Sequence, residues 1–230
     1  MNGKNKKMLY AGLLFVMALC FVTACGNSNQ KQTQEMNVKD MDSMAKYDYT
    51  SKEISCTIGS QSIYGIAYIP EKDGKLPLMI FAHELCNTHT AGIDYAERLA
   101  ASGIAAYTFD FRGGSAGSQS DGKTTEMSIM TEADDLNAVI NCAKDWDFVD
   151  SEKIVLLGGS QGGAAAAVTA ARSEDEIAGL ILLYPAFVAY DEVHAQFDSL
   201  EDVPDEFNFL SWIRVGKNYV SDIWDYDNYG

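Results

Sequence analysis

Around Ser160 the chain reads Gly158-Gly159-Ser160-Gln161-Gly162-Gly163, a G-x-S-x-G pattern. An apolar, β-branched run from Lys153 to Leu157 leads into it and an alanine-rich stretch follows, so the serine falls at a strand-to-helix turn. Acyl transfer needs this arrangement. A turn tight enough to project a serine hydroxyl from the end of a strand leaves no room for side chains at Gly158 and Gly162, and Gly163 with Ala164 lets the helix pack closely. Ser160 is therefore the candidate nucleophile, which would carry the acyl group covalently. A mere glycine-rich turn is the alternative, and the strand-turn-helix context weighs against it.

Such a reaction also needs donors aimed at the developing oxyanion. They usually come from the backbone N–H after the nucleophile and from the loop after the third strand, here Gln161 and Leu85. The buried-type run Met79-Ile80-Phe81-Ala82 leads straight into His83-Glu84-Leu85. His83 reads as the organiser of this loop rather than as a general base, against the alternative of a capped strand-end histidine with no role. His89 fits either description.

These residues need a scaffold. Six runs read as strands: Ile54 to Ile58, Ile63 to Ile69, Leu78 to Ala82, Ile104 to Phe109, Lys153 to Leu157 and Gly179 to Leu183. Gly59-Ser60-Gln61 joins the first two as a hairpin. Helical stretches separate the later ones: Gly92 to Ser102, Thr131 to Trp146 and Gln161 to Arg172. In the second helix Ala133, Leu136, Val139 or Ile140 and Ala143 share a face, while Glu132, Asp134 and Asp135 sit where the helix dipole favours acids. The order implies the α/β class, with an antiparallel entry into a mostly parallel, doubly wound sheet.

The stretch from about Leu76 to Tyr229 resembles the cinnamoyl/feruloyl esterase-like and serine aminopeptidase-like branch of the α/β-hydrolases. The resemblance rests on His83-Glu84-Leu85, Phe109-Asp110-Phe111-Arg112-Gly113-Gly114-Ser115, Thr125-Glu126-Met127-Ser128, Gly158 to Gly163 and Leu183-Tyr184-Pro185-Ala186-Phe187. It implies Ser160 as nucleophile and the Leu85 and Gln161 amides as oxyanion donors. Arg112 and Asp110 are expected to order the loop after the fourth strand rather than to act in catalysis. Glu84 departs from the family by replacing the usual Gly after the histidine.

The family places a triad acid after the seventh strand and the base in a loop after the eighth. Neither strand is expected before Gly230, so the fold should lack the last strands and the triad acid and base should lie beyond Gly230. Val188 to Tyr226 resembles a small lid. Asp191 and His194, three residues apart on one amphipathic stretch, are poorly spaced to line up with Ser160.

Residues 1–24 have a basic start, Lys4, Lys6 and Lys7, then an apolar run from Met8 to Val22 ending in small residues. Val22-Thr23-Ala24-Cys25 resembles the lipobox of bacterial lipoproteins, with Cys25 the acylated residue. An uncleaved signal anchor is the alternative. The expected organisation is a leader over 1–24, a polar flexible spacer over 25–49, a hydrolase core over 50–187 and a lid-like end over 188–230. The chain is expected outside the cell, held to the membrane by its lipid.

Charge and cysteine content narrow the partners. The 230 residues carry a formal charge of −16, about −19 once the leader lysines leave, so nucleic acid is an unlikely partner and membrane attachment cannot rest on a basic face. Cys20, Cys25, Cys56, Cys86 and Cys142 have neither zinc-site nor C-x-x-C spacing, and no cofactor or metal is implied. With Cys20 lost and Cys25 acylated, at most one disulfide can form, between partners the spacing does not choose. The expected activity is hydrolysis of small esters, feruloyl-type aryl esters among them. A peptidase acting at N-termini and an inactive binding module or fragment are the competing readings.

Overall fold

Between Tyr49 and Pro70 the backbone forms four short strands where the pattern implies two: β1 (Tyr49–Glu53), β2 (Cys56–Ile58), β3 (Gln61–Ile63) and β4 (Gly65–Pro70). This computed structural model describes residues 46–173 and 176–226, so the expected leader, Cys25 and most of the expected spacer lie outside the described residues. The hairpin across Gly59 exists, with Cys56 opposite Ile63 and Ile58 opposite Gln61. Its second expected strand is cut in two at Tyr64-Gly65. A β-carbon on Gly65 would lie 2.2 Å from the Tyr107 hydroxyl, so the chain passes there only as glycine. Beyond that point β4 leaves the hairpin and pairs antiparallel with β1 on one side and β6 (Ala105–Phe109) on the other. Order begins before Tyr49: the Lys46 and Tyr47 amides both donate to Ala101 O.

The parallel part follows the expected alternation. β5 (Leu76–Ala82) leads to α1 (Ile93–Ala101), β6, α2 (Ile129–Lys144), β7 (Val149–Gly159), α3 (Ser160–Arg172) and β8 (Gly179–Leu183). The sheet order is β1-β4-β6-β5-β7-β8, with β6, β5, β7 and β8 parallel. Every residue of β6 is buried, as a strand covered by helices on both faces requires. α2 starts two residues before the expected Thr131 because Ser128 and Thr131 cap each other: the Thr131 amide donates to Ser128 Oγ and the Ser128 amide to Thr131 Oγ1.

From β5 the chain steps to β6 on one side and then crosses to β7 on the other. The carboxyl ends of β5 and β7 therefore flank the topological switch point, where open α/β sheets form their binding crevice. Ala82 and Gly158 pair in register, so His83 to Leu85 and Ser160 emerge side by side at that crevice.

Residues 188–226 form α4 (Ala189–Gln196), the hairpin β9 (Glu206–Phe209) and β10 (Ile213–Gly216), and α5 (Asn218–Ser221). Their apolar side chains, Val193, Phe209, Val215 and Tyr219 among them, form a second core with Ala133 of α2 and Ala165 of α3. Ser128, at the start of α2, ties this segment down by donating to Asp222 at 2.6 Å. At the far side of the sheet β8 is the terminal strand, and Leu180 and Ile181 on it are exposed.

Candidate active site

Ser160 is the first residue of α3 and has a φ of 48°, a left-handed conformation that costs a non-glycine residue about 1–2 kcal/mol. The neighbouring glycines explain how so sharp a turn is made. A β-carbon at Gly158 would meet Gly162 O at 2.6 Å, and one at Gly162 would meet His83 O at 2.3 Å and Ala82 O at 2.4 Å. The turn is thus seated directly on the backbone that leaves β5. On the other side the Ala186 amide donates to Ser160 O at 2.8 Å, bringing the segment after β8 alongside.

The donors expected for an oxyanion border this point. Gln161 is the second residue of α3, where a helix amide has no partner one turn earlier. The Leu85 amide makes no hydrogen bond among the described residues. Between them the Glu84 carboxylate leans over the elbow: a β-carbon on Gly159 would lie 2.8 Å from Glu84 Oε1. Tyr184 Oη donates to that oxygen at 3.0 Å and Asn87 Nδ2 to Oε2 at 3.3 Å. Glu84, singled out in the sequence only as a departure from a glycine, thus places its carboxyl group against Gly159, the residue before the candidate nucleophile.

His83 is buried with both ring nitrogens engaged by backbone. Nδ1 donates to Glu84 O at 2.8 Å and Nε2 accepts from the Phe111 amide at 3.2 Å. Burial holds its pKa below the ordinary histidine value and keeps the ring neutral, as this pairing requires. His89 bonds through Nδ1 to Asp110 at 2.8 Å, and its amide donates to the same carboxylate. Asp110 also accepts from the Gln119 amide, so it knots two loops together. Arg112 donates through its amide and Nε to Asp135 and through Nη1 to Gln61. Both residues order the loop after β6.

His194 is stacked between Tyr190 and Trp224, with ring centroids 4.2 and 4.1 Å away, and its Nδ1 donates to Tyr190 O. Asp191 lies exposed on the same helix. Among the described residues no hydrogen bond joins a histidine to the Ser160 hydroxyl, and no cluster of three metal-type ligands exists.

Behind the elbow lies an arrangement that the sequence did not announce. The Gln161 side chain is buried, donating to Glu132 Oε1 at 2.9 Å and accepting from Tyr219 Oη at 2.7 Å. Glu132 was expected among acids at the start of a helix, where the dipole favours them. It is instead fully buried, its pKa pushed up to about 8 by loss of water, and its Oε2 has no partner. Asp135 is buried as well, whereas Asp134 is at the surface, 3.1 Å from Arg172. The available signal was periodicity: Glu132, Asp135 and Leu136 are three and four residues apart, on one face of α2.

The chain is similar to known proteins. Residues 75–214 match the family described as serine aminopeptidase, S33. The structure of ferulic acid bound to Est1E from Butyrivibrio proteoclasticus is similar, with TM-score 0.64 and 25% identity over 76% of this chain and 71% of that one. An uncharacterized 31.7 kDa protein from the traX-finO intergenic region of Escherichia coli is 32% identical over 124 residues, 54% of this chain and 42% of the relative. The quorum-quenching protein AidA of Acinetobacter baumannii (strain MDR-ZJ06) is 27% identical over 139 residues, 60% of this chain and 42% of AidA. The chain therefore spans under half the length of these curated relatives. A matched region running from β5 to β10, with the G-x-S-x-G turn at the switch point of a mostly parallel sheet, means that the chain belongs to the serine aminopeptidase S33 family and has the α/β-hydrolase fold.

Proposed function

We propose that the protein is a serine hydrolase that cleaves small esters through an acyl-enzyme on Ser160. The observation that carries this reading is the left-handed Ser160 at the β7–α3 junction, in a turn whose Gly162 is seated on the Ala82 and His83 carbonyls at the switch point. Attack by Ser160 Oγ on the ester carbonyl would put negative charge on the carbonyl oxygen, with the Gln161 and Leu85 amides as its donors. The alcohol leaves with a proton, water then cleaves the acyl group from Ser160, and the acid departs. The proton relay is assigned to none of His83, His89 and His194, each of which is committed elsewhere. The exposed Tyr184 and Val188, flanking the Ala186 contact to Ser160, give an apolar border suited to an aryl acyl group. Ferulic acid in Est1E supports the same class.

A second reading has its own observation. A carboxylate beside the nucleophile, as Glu84 supplies, would pair with the free amino group of a peptide N-terminus, in keeping with the family description. Aryl ester and aminoacyl anilide turnover should be measured on this chain and on a version extended to the natural stop codon, each with and without Ser160→Ala, together with labelling by a serine-reactive phosphonate. Ester turnover by the extended protein that is lost with Ser160 supports the first reading. Anilide turnover that Glu84→Gln cuts about tenfold or more supports the second. Labelling unaffected by Ser160→Ala overturns both. The lipid anchor on Cys25 remains part of the proposal, and Cys25→Ser should release the protein from detergent-extracted membranes.

A further inference from the structure

Cys56 and Cys142 lie where the β2–β3 hairpin packs on α2. Cys56 on β2 belongs to the main core, and Cys142 packs against that same core from its edge. Both side chains line a surface recess of about 650 Å³, bordered also by Ser55, Asn137 and Asn141. Lining one recess, each thiol is the main influence on the acidity of the other. Tyr107 Oη lies 4.0 Å from Cys56 Sγ while donating to Ile54 O, and Trp146 is the further partner of Cys142. Cys86 is remote from this site, in the loop after β5, and burial pushes its thiol up to about 11.

We propose that Cys56 and Cys142 form a reversible dithiol–disulfide pair that staples the N-terminal hairpin to α2, with Cys142 as the attacking thiol, Cys56 as the resolving thiol and Cys86 left free. The assignment of roles follows from access. Cys56 is enclosed and Cys142 opens on the recess, so an incoming reagent reaches Cys142 first. The neighbouring Cys56 and Trp146 hold the Cys142 thiol below its ordinary value, which favours it as the attacking thiol. The Cys56 thiol is pushed the other way, chiefly by the neighbouring Cys142.

The reaction is two exchanges with a small disulfide, such as oxidised glutathione, as the oxidant. The Cys142 thiolate attacks one sulfur of that disulfide, forming a mixed disulfide and expelling one glutathione thiolate. Cys56 Sγ then attacks Cys142 Sγ and expels the second. Two protein thiols are oxidised, one disulfide is reduced to two thiols, and the two protein protons end on the leaving groups. The bond closes the long loop from β2 to the end of α2, so it removes much chain entropy from the unfolded state. It does not depend on the chemistry proposed for Ser160.

The test is to equilibrate the full chain with oxidised glutathione, alkylate the remaining thiols and map disulfides by peptide mass spectrometry without reduction. A Cys56–Cys142 cross-link with Cys86 alkylated is expected. It should raise the unfolding temperature by about 5–10 °C, reversed by dithiothreitol, and change Trp146 fluorescence. Cys142→Ser should abolish both changes, and Cys86→Ser should leave them intact. A glutathione adduct that persists on Cys142, a cross-link that involves Cys86, Cys20 or Cys25, or full alkylation of Cys56 and Cys142 would overturn the proposal.

Discussion

Tyr219, on the last helix described, donates its hydroxyl to Gln161 Oε1 at 2.7 Å, and so holds the residue that follows Ser160 from behind. Both groups are buried, and removing the donor leaves the Gln161 oxygen unsatisfied. Tyr219→Phe should cost about 1 kcal/mol of stability, measured by urea unfolding. If Gln161 positions an oxyanion amide, the same change should lower kcat for an ester without raising KM.

Glu132, the other partner of Gln161, makes stability depend on pH. Its pKa is raised from 4.5 to about 8 in the folded state, so the folded protein holds a proton that the unfolded chain releases. The stability this provides is complete below about pH 4.5, is lost as pH rises, and is gone above about pH 8. Glu132→Gln should therefore be more stable than the parent at pH 8.5, with the advantage shrinking toward pH 5. Asp135, raised to about 6 by its own burial, titrates in both proteins, and its charge adds to the rise at Glu132. An unchanged difference across that range would mean that Glu132 is ionised when folded.

The left-handed Ser160 stores strain that a glycine would release. Ser160→Gly should gain about 1 kcal/mol in thermal unfolding, whereas Ser160→Ala should gain little, because alanine keeps the β-carbon that causes the strain. Equal unfolding temperatures for the two variants would contradict a strained turn.

Gly162 tests the seating of that turn. The alanine β-carbon would press on the His83 and Ala82 carbonyls, which are backbone and cannot rotate away. Gly162→Ala should cost about 3 kcal/mol or prevent soluble expression, while Gly117→Ala, where the nearest atom is 3.7 Å away, should be nearly neutral.

Among the described residues β8 pairs on one side only, so the 230-residue chain by itself should self-associate there. Ile181, 44% exposed on the terminal strand, is the position to change. Ile181→Lys should lower concentration-dependent light scattering and leave the unfolding free energy within about 0.5 kcal/mol.

The sequence made the parallel half legible because its signals are local: apolar runs, glycines at fixed offsets around Ser160, and a helical stripe from Ala133 to Ala143. The entry was harder to read. β1, Tyr49-Thr50-Ser51-Lys52-Glu53, is polar because it lies at a sheet edge, so no alternation marks it, and the break at Gly65 depends on Tyr107, far away in sequence. At the site, Ser160, His83 and the Leu85 loop were found from spacing. Glu132 and Tyr219 were not, since a buried Glu and a surface Glu look alike until the packing of residues 188–226 over them is known.

α2 joins chemistry at its two ends. Glu132 near its start grips the residue beside Ser160, and Cys142 in its last turn shares a recess with Cys56, ten residues and about 15 Å along the axis. Such a helix transmits displacement without shortening. Anchoring its tail to β2 by a covalent bond removes axial sliding and leaves tilt as its remaining freedom. With the proposed disulfide closed, the residue after Ser160 would be linked through α2 to the N-terminal hairpin.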